Sequence, residues 1–283
     1  MNRLPAPKAK TAILLLAPML VPLLTLAACQ QTSSTDTPPT IAPSASTAVP
    51  VPAPVPPSQT AAARKVSEKT DLYEFDYSYP IEAAAIPDLR DWLEADLGRT
   101  KAALVADAKE GREAAMAGGY PFNAYTATSN WQVVTDLPGW LSLSTLVGSY
   151  TGGAHPNYGF DAFLWDKTPN QKRAAADLFT SKAALKAAVL KAFCAELQRQ
   201  RAKKREGAQL GDPEDEFNTC IDPTEQTVIL GSKGRKGFDR IGFLVAPYNA
   251  GPYAEGSYEV TLPVTAAVIA AAKPEYKAAF MAQ

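Results

Sequence analysis

From residue 30 to about residue 63 the chain is rich in Pro, Ser, Thr and Ala, with Val-Pro and Ala-Pro repeated, and this stretch constrains the fold more than any other. Its side chains cannot bury enough apolar surface to offset the entropy lost on ordering, so a disordered tether is expected. Proline keeps such a chain semi-extended, and at roughly 3 Å per residue it reaches on the order of 100 Å when drawn out. The packed core is expected from residues 64–283, a length that suits one large domain or two small ones.

Residues 1–28 read as an address rather than as structure. Arg3, Lys8 and Lys10 precede an apolar run over residues 11–28, and small residues stand before Cys29, the pattern of a secretory signal with its cleavage site. A membrane-spanning helix is the alternative for a run of about 18 apolar residues. Pro18 and Pro22 inside the run weaken it, because proline breaks helix interiors. Leu26-Ala27-Ala28-Cys29 resembles a bacterial lipobox. That resemblance implies removal of residues 1–28, lipidation of Cys29 by diacylation, and a linker over residues 29–63 that holds a peripheral body at a membrane. In lipoproteins of two-membrane bacteria an aspartate after the cysteine marks inner-membrane retention. Gln30 stands there, so the expected place is the outer membrane, facing the periplasm.

Charge excludes one class of partner. The whole chain carries −1, and residues 1–28 hold three basic residues and no acid, so removing those three positive charges leaves the remainder at −4. A nucleic-acid binder would show a basic excess. The one basic run, residues 199–205, closes a helical pattern, where it is expected to complement the helix C-terminus and stay solvated.

In the body, residues 72–79 alternate cleanly, with Tyr73, Phe75, Tyr77 and Tyr79 on one face of a half-buried strand. Core packing is the expected use of that row, a sugar platform the alternative. Pro87 suits a first helical position, Leu89, Trp92, Leu93, Leu97 and Leu104 recur at helical spacing, Gly98 is a weak point, and Gly118-Gly119 stops the helix. A strand over residues 122–136, a turn at Leu137-Pro138-Gly139, and strands over residues 140–149 and 158–165 form a meander, the last with apolar residues on both faces. Thr180 or Ser181 can cap a helix whose stripe is Leu185, Val189, Phe193 and Leu197. A hairpin spans residues 227–245, a Gly/Pro-rich aromatic loop follows, then a strand at 258–262, with Pro263 opening a final helix and Pro274 restarting one. The fold class is α+β: an antiparallel meander with helices packed on it, a strand-helix-meander part over residues 64–178 and a helix-hairpin-helix part over residues 179–283.

The centre of this arrangement is Tyr150-Thr-Gly-Gly-Ala-His-Pro-Asn157, which holds the only histidine. Two glycines free the backbone, and His155-Pro156 favours an extended or turning chain. His155 is expected to hydrogen-bond the loop backbone and fix its shape, with ligand contact or catalysis as alternatives. Metal catalysis usually takes three protein ligands, and one histidine leaves the rest to carboxylates. No Gly-x-Ser-x-Gly elbow supplies a nucleophile, although a carboxylate pair stays open. The acidic stretch 212–216 lacks the spacing of a calcium loop and reads as solvated. Outside the cytosol Cys194 and Cys220 are expected to form a disulfide, rather than a reactive thiol.

Two motif sets carry a resemblance. One is Tyr150-Thr-Gly-Gly-Ala-His-Pro156 followed by a strand and Asp177-Leu-Phe179. The other is Pro247-Tyr248, then Pro252-Tyr253-Ala254-Glu255-Gly256, then Val260-Thr-Leu-Pro263. Together they resemble the extracytoplasmic domain shared by a lysozyme-sensing anti-sigma factor and the N-terminal region of a peptidoglycan deacetylase, over about residues 66–283. The resemblance implies an α+β fold and carries no enzyme activity, since the deacetylase's chemistry lies in a separate metal-binding domain. The expectation is a lipid-anchored, non-catalytic binding or scaffold module for peptidoglycan or a lysozyme-like protein, without metal or cofactor. Its ligand-contact candidates are Tyr150, Gly152, Gly153, His155, Asn157, Tyr248 and Tyr253. The alternative is a cell-wall hydrolase or deacetylase using His155.

Overall fold

A computed structural model describes residues 61–283, apart from 209, 210, 213 and 216. The leader and Cys29 lie outside the described residues. The first two strands, β1 (Arg64–Lys69) and β2 (Tyr73–Tyr79), pair antiparallel at one edge of a seven-stranded sheet. β2 alternates as its sequence requires: Phe75, Tyr77 and Tyr79 are buried. β1 is an addition to what the pattern predicts, because an edge strand with one face in water carries polar residues on most positions.

A short helix α1 (Ile81–Ala84) leads into α2 (Pro87–Gly118), with Pro87 in its first turn and Gly119 left-handed at φ +68° as its cap. The Tyr120 amide reaches back to the Ala115 carbonyl, so the last turn closes on itself. Gly98 does not interrupt the helix. α2 is the crossover that lets β3 (Tyr125–Asn130) return parallel to β2. The sheet is therefore antiparallel except at that one pair. The segment expected as one strand over residues 122–136 is two, β3 and β4 (Gln132–Leu137), parted at Trp131. Both pair with β5 (Trp140–Tyr150), end to end along the same edge. Trp131 turns inward at the break, where it packs at 4.9 Å from Phe163 and 6.3 Å from Trp92.

β5 and β6 (Asn157–Asp166) form a long hairpin whose tip is the 151–156 loop, and β7 (Gln171–Arg173) adds an edge. The inner half of β6 is covered on both faces, as its apolar run predicts: Phe163 and Trp165 join the core under α2, and Leu164 joins a second core. That second core lies between α3 (Lys182–Lys204) and a three-stranded antiparallel sheet of β8 (Thr227–Gly231), β9 (Arg240–Val245) and β10 (Tyr258–Pro263). Ser181 caps α3 by accepting the Ala184 amide, and the stripe of Leu185, Val189, Phe193 and Leu197 is buried as spaced. Phe193 meets Phe243 edge-on at 5.2 Å. Pro263 ends β10 instead of starting a helix. The last α-helix, α4 (Ala266–Ala271), begins after Thr265, whose hydroxyl accepts the Val268 amide, a role proline lacks the side chain to fill, and Pro274 opens a 3-10 turn over Pro274–Ala279.

One polar contact under α2 has a measurable consequence. The buried Tyr77 hydroxyl donates to Asp96 at 2.8 Å and accepts the Trp131 indole N–H at 3.0 Å. Burial, reinforced by Asp96, pushes that hydroxyl far above the usual tyrosine range. Tyr77→Phe keeps the ring and orphans the indole donor, and should cost about 1–3 kcal/mol. Urea unfolding measures it, and an unchanged midpoint would mean that water reaches the indole.

Candidate functional site

Two loops meet at one end of the molecule. The first is the β5–β6 tip. The second, residues 246–257, joins β9 to β10, whose antiparallel pairing of Val245 with Tyr258 brings its ends together. Within it Tyr248 takes a positive φ of 71°, unusual for an aromatic residue, and its amide bonds the Gly251 carbonyl at 3.1 Å. The tight turn leaves Tyr248 49% exposed.

His155 sits against this loop. Its ring stacks on Tyr253 with centroids 4.0 Å apart, and Tyr248 lies 5.6 Å from Tyr253 on a tilted plane. His155 Nδ1 is 2.8 Å from the Pro156 carbonyl oxygen, and the Tyr253 hydroxyl donates to the same oxygen at 2.6 Å. A carbonyl only accepts, so Nδ1 carries the proton, and in the neutral ring Nε2 accepts from the Tyr248 hydroxyl at 3.3 Å. Below them the Tyr158 hydroxyl accepts the Ser257 amide at 3.1 Å. Gly256 crosses that hydroxyl at φ +66°, where an added Cβ would lie 3.1 Å from it. The result is a shelf of three rings, His155, Tyr253 and Tyr248, locked to each other and to the backbone.

The candidate residues divide. His155, Tyr248 and Tyr253 come together. Gly152 and Gly153 lie on the other side of the tip, where they line a cavity of about 310 Å³ with Tyr120, Phe122 and Tyr125 beside the end of α2. Tyr150 pairs with Thr126, and Asn157 turns its side-chain oxygen back to the Tyr158 amide. Among the described residues no carboxylate or serine hydroxyl is hydrogen-bonded to His155, whereas a nucleophile relay holds one on each side of the imidazole. No group of three or more His, Cys, Asp or Glu that could hold a metal ion occurs among the described residues.

Residues 66–158 match the family model described as Deacetylase PdaC. The motif resemblance is thereby met over β1 to the start of β6, a PdaC-like segment that ends just past His155. Two solved structures are similar in shape. A DUF3298-family member from Bacteroides fragilis is 19% identical, with 71% of this chain and 88% of that one covered and a TM-score of 0.43. A DUF3298-family protein from Pseudomonas aeruginosa is 13% identical, with coverages of 76% and 95% and a TM-score of 0.40. No curated protein matches.

The rest of the shelf's support lies outside the PdaC-like segment, and there one expectation is overturned. The basic run is solvated only in part: Arg199 and Lys203 are exposed, but three of its bases turn to the protein. Arg201 is 2% exposed and donates from Nε to the buried Ala250 carbonyl at 2.9 Å. Lys204 donates to the carbonyls of Glu255 and Ser257, and Arg205 forms a nearly buried ion pair with the Glu255 carboxylate at 2.7 Å. The Tyr258 hydroxyl also donates to Glu255. These three bases clamp the 246–257 loop to the end of α3. The signal was present in the spacing: Arg201 stands four residues after Leu197, on the buried stripe. Cys194 and Cys220 form a disulfide with Cα atoms 5.5 Å apart, tying α3 to the segment that follows it.

Proposed function

We propose that this chain is a bacterial cell-envelope binding module, held at a membrane by acyl chains on Cys29, whose His155, Tyr253 and Tyr248 shelf docks the glycan of the cell wall. The observation that supports this reading is the exposed half of the shelf. Tyr248 is 49% exposed, and its neighbours are fixed by stacking. Rigid aromatic faces bind at small entropic cost, and their negative π faces attract the polarised C–H bonds of a sugar ring. A lysozyme-like protein is the competing partner for the same surface.

Retention of the chain on purified sacculi and on immobilised lysozyme separates the two. Sacculi should retain it, and Tyr248→Ala should weaken that retention about tenfold, the loss of roughly 1.4 kcal/mol. Equal retention of the variant, or retention on lysozyme alone, would remove the glycan reading. Cys29→Ser should release the chain from membranes, since a body without the diacyl group has no other anchor in this reading. In the hydrolase or deacetylase alternative His155 acts as the base, and muropeptide products should then change on His155→Ala.

A further inference from the structure

The shelf lies at one end of the molecule, with the β5–β6 tip and the loop joining β9 to β10. The opposite end carries the turn from β8 to β9, Gly231-Ser-Lys-Gly-Arg-Lys-Gly237. β5 runs between the two ends, and the steps from Trp140 to Tyr150 span about 33 Å. Lys236 and Gly237 share a cavity of about 480 Å³ with Trp140, Tyr276 and Glu275. Lys233, Arg235 and Lys236 are exposed, as is Lys277 on the 3-10 turn that follows α4. None of these four side chains has a hydrogen bond or an ion pair among the described residues, and neither has the half-buried Lys273. The acids at this end are mostly engaged. Asp166 is held by Arg173 and Asp136 by Lys167. Asp239 is buried beside Arg240 and accepts the Lys233 and Gly234 amides. That leaves Glu275 on the cavity and Asp88, bound by Asn170, at its margin. Met281, 42% exposed, lies against Gly237.

We propose that this end is a docking surface for an anionic phospholipid bilayer. Unpaired bases on one exposed turn are attracted to a negative bilayer, each over about a Debye length. Met281 and the half-buried rings of Trp140 and Tyr276 stand beside them, and amphipathic rings suit the headgroup layer. The place where the chain enters the body points the same way. β1 runs from Arg64 to Lys69, and Lys69, Glu74, Thr126 and Tyr150 lie in register across the sheet. The strand therefore heads for the shelf, and the chain arrives at Arg64 from the basic side. Docking by that side turns the shelf away from the lipid. The surface depends neither on acylation of Cys29 nor on what the shelf binds.

The test is sedimentation of a chain begun at Gln30 with vesicles of phosphatidylcholine, alone or mixed with phosphatidylglycerol. Both cores and the disulfide lie within residues 61–283, so this chain keeps the contacts of the body and carries neither leader nor acyl group. It should sediment with the anionic vesicles at low salt, be released at high salt, and ignore the neutral ones. Lys236→Gln should weaken that binding about fivefold, and Lys233→Gln, Arg235→Gln and Lys236→Gln together should abolish it. These side chains make no polar contact in the body, so the melting curves should not move. Lys191→Gln removes the same charge from an exposed position on α3, and should change binding by no more than about twofold. Sedimentation that is equal on both vesicles, or absent from both, overturns the surface. So does an equal loss from Lys191→Gln and Lys236→Gln, which would leave only net charge at work. Retention on sacculi that needs Lys236, with none on vesicles, overturns it too and gives these bases to an anionic wall polymer.

Discussion

Replacing Arg201 with Leu should lower stability by about 3 kcal/mol and loosen the shelf without touching it. The leucine keeps the apolar stem on the stripe of α3, but the carbonyls of Ala250 and Thr219 lose their donor together, while that of Asn218 keeps the Gln198 amide. Ala250 is fully buried, so water does not replace the guanidinium there without opening the loop. Against that loss stands a gain: the leucine brings no charge to desolvate and no unpartnered Nη2. Burial already draws the Arg201 pKa below its ordinary value, with Arg205 adding to the effect, which is the same cost seen from the proton's side. The carbonyls outnumber the one free donor, so the balance falls on destabilisation. Arg201→Lys should recover only part of it, since an ammonium lacks the fork that reaches Ala250 and Thr219 at once. Urea unfolding gives the magnitude, and amide exchange gives the place: protection should fall first at Tyr248, whose amide is tied to Gly251. A variant as stable as the parent would mean that the desolvation of Arg201 cancels everything its bonds contribute.

Arg201 also marks where the sequence was readable and where it was misread. Periodicity found the elements that bury a face: the aromatic row of β2, the stripe of α3, the apolar centre of β6. It missed β1 and β7, because an edge strand needs no apolar alternation when one face is solvated and half its backbone groups are unpaired. It missed the parallel pairing of β2 with β3, because register between strands separated by 32 residues of helix leaves no local mark. Residue type misled at the basic run, where lysine and arginine were assigned to solvent although position 201 kept the helical phase of Leu197. The candidate site was legible in outline, since the only histidine and the Tyr248 and Tyr253 loop converge. What joins them was not legible. Tyr158, Gly256 and Glu255 act through backbone amides and buried bases contributed by distant elements, and such partners are fixed by tertiary packing rather than by any local pattern.

Removing the Cys194–Cys220 bridge should cost a similar amount by a different route. The bond closes a loop with a sequence separation of 26, and the entropy it withholds from the unfolded chain corresponds to about 3 kcal/mol. For a body of this size that is a fall in melting temperature of roughly 6–12 °C. The double variant Cys194→Ala with Cys220→Ala should show it, and reduction of the parent should match the double variant. The two losses argued here are not independent. Cys220 follows directly on Asn218 and Thr219, the residues whose carbonyls hold Arg201 Nη1, so freeing the cysteine frees two of the guanidinium's acceptors. Combining the cysteine changes with Arg201→Leu should therefore destabilise by less than the sum of the two, with a coupling of about 1 kcal/mol. Strict additivity would show that the bridge acts on the unfolded chain alone and that the 218–219 segment keeps its place on α3 without it.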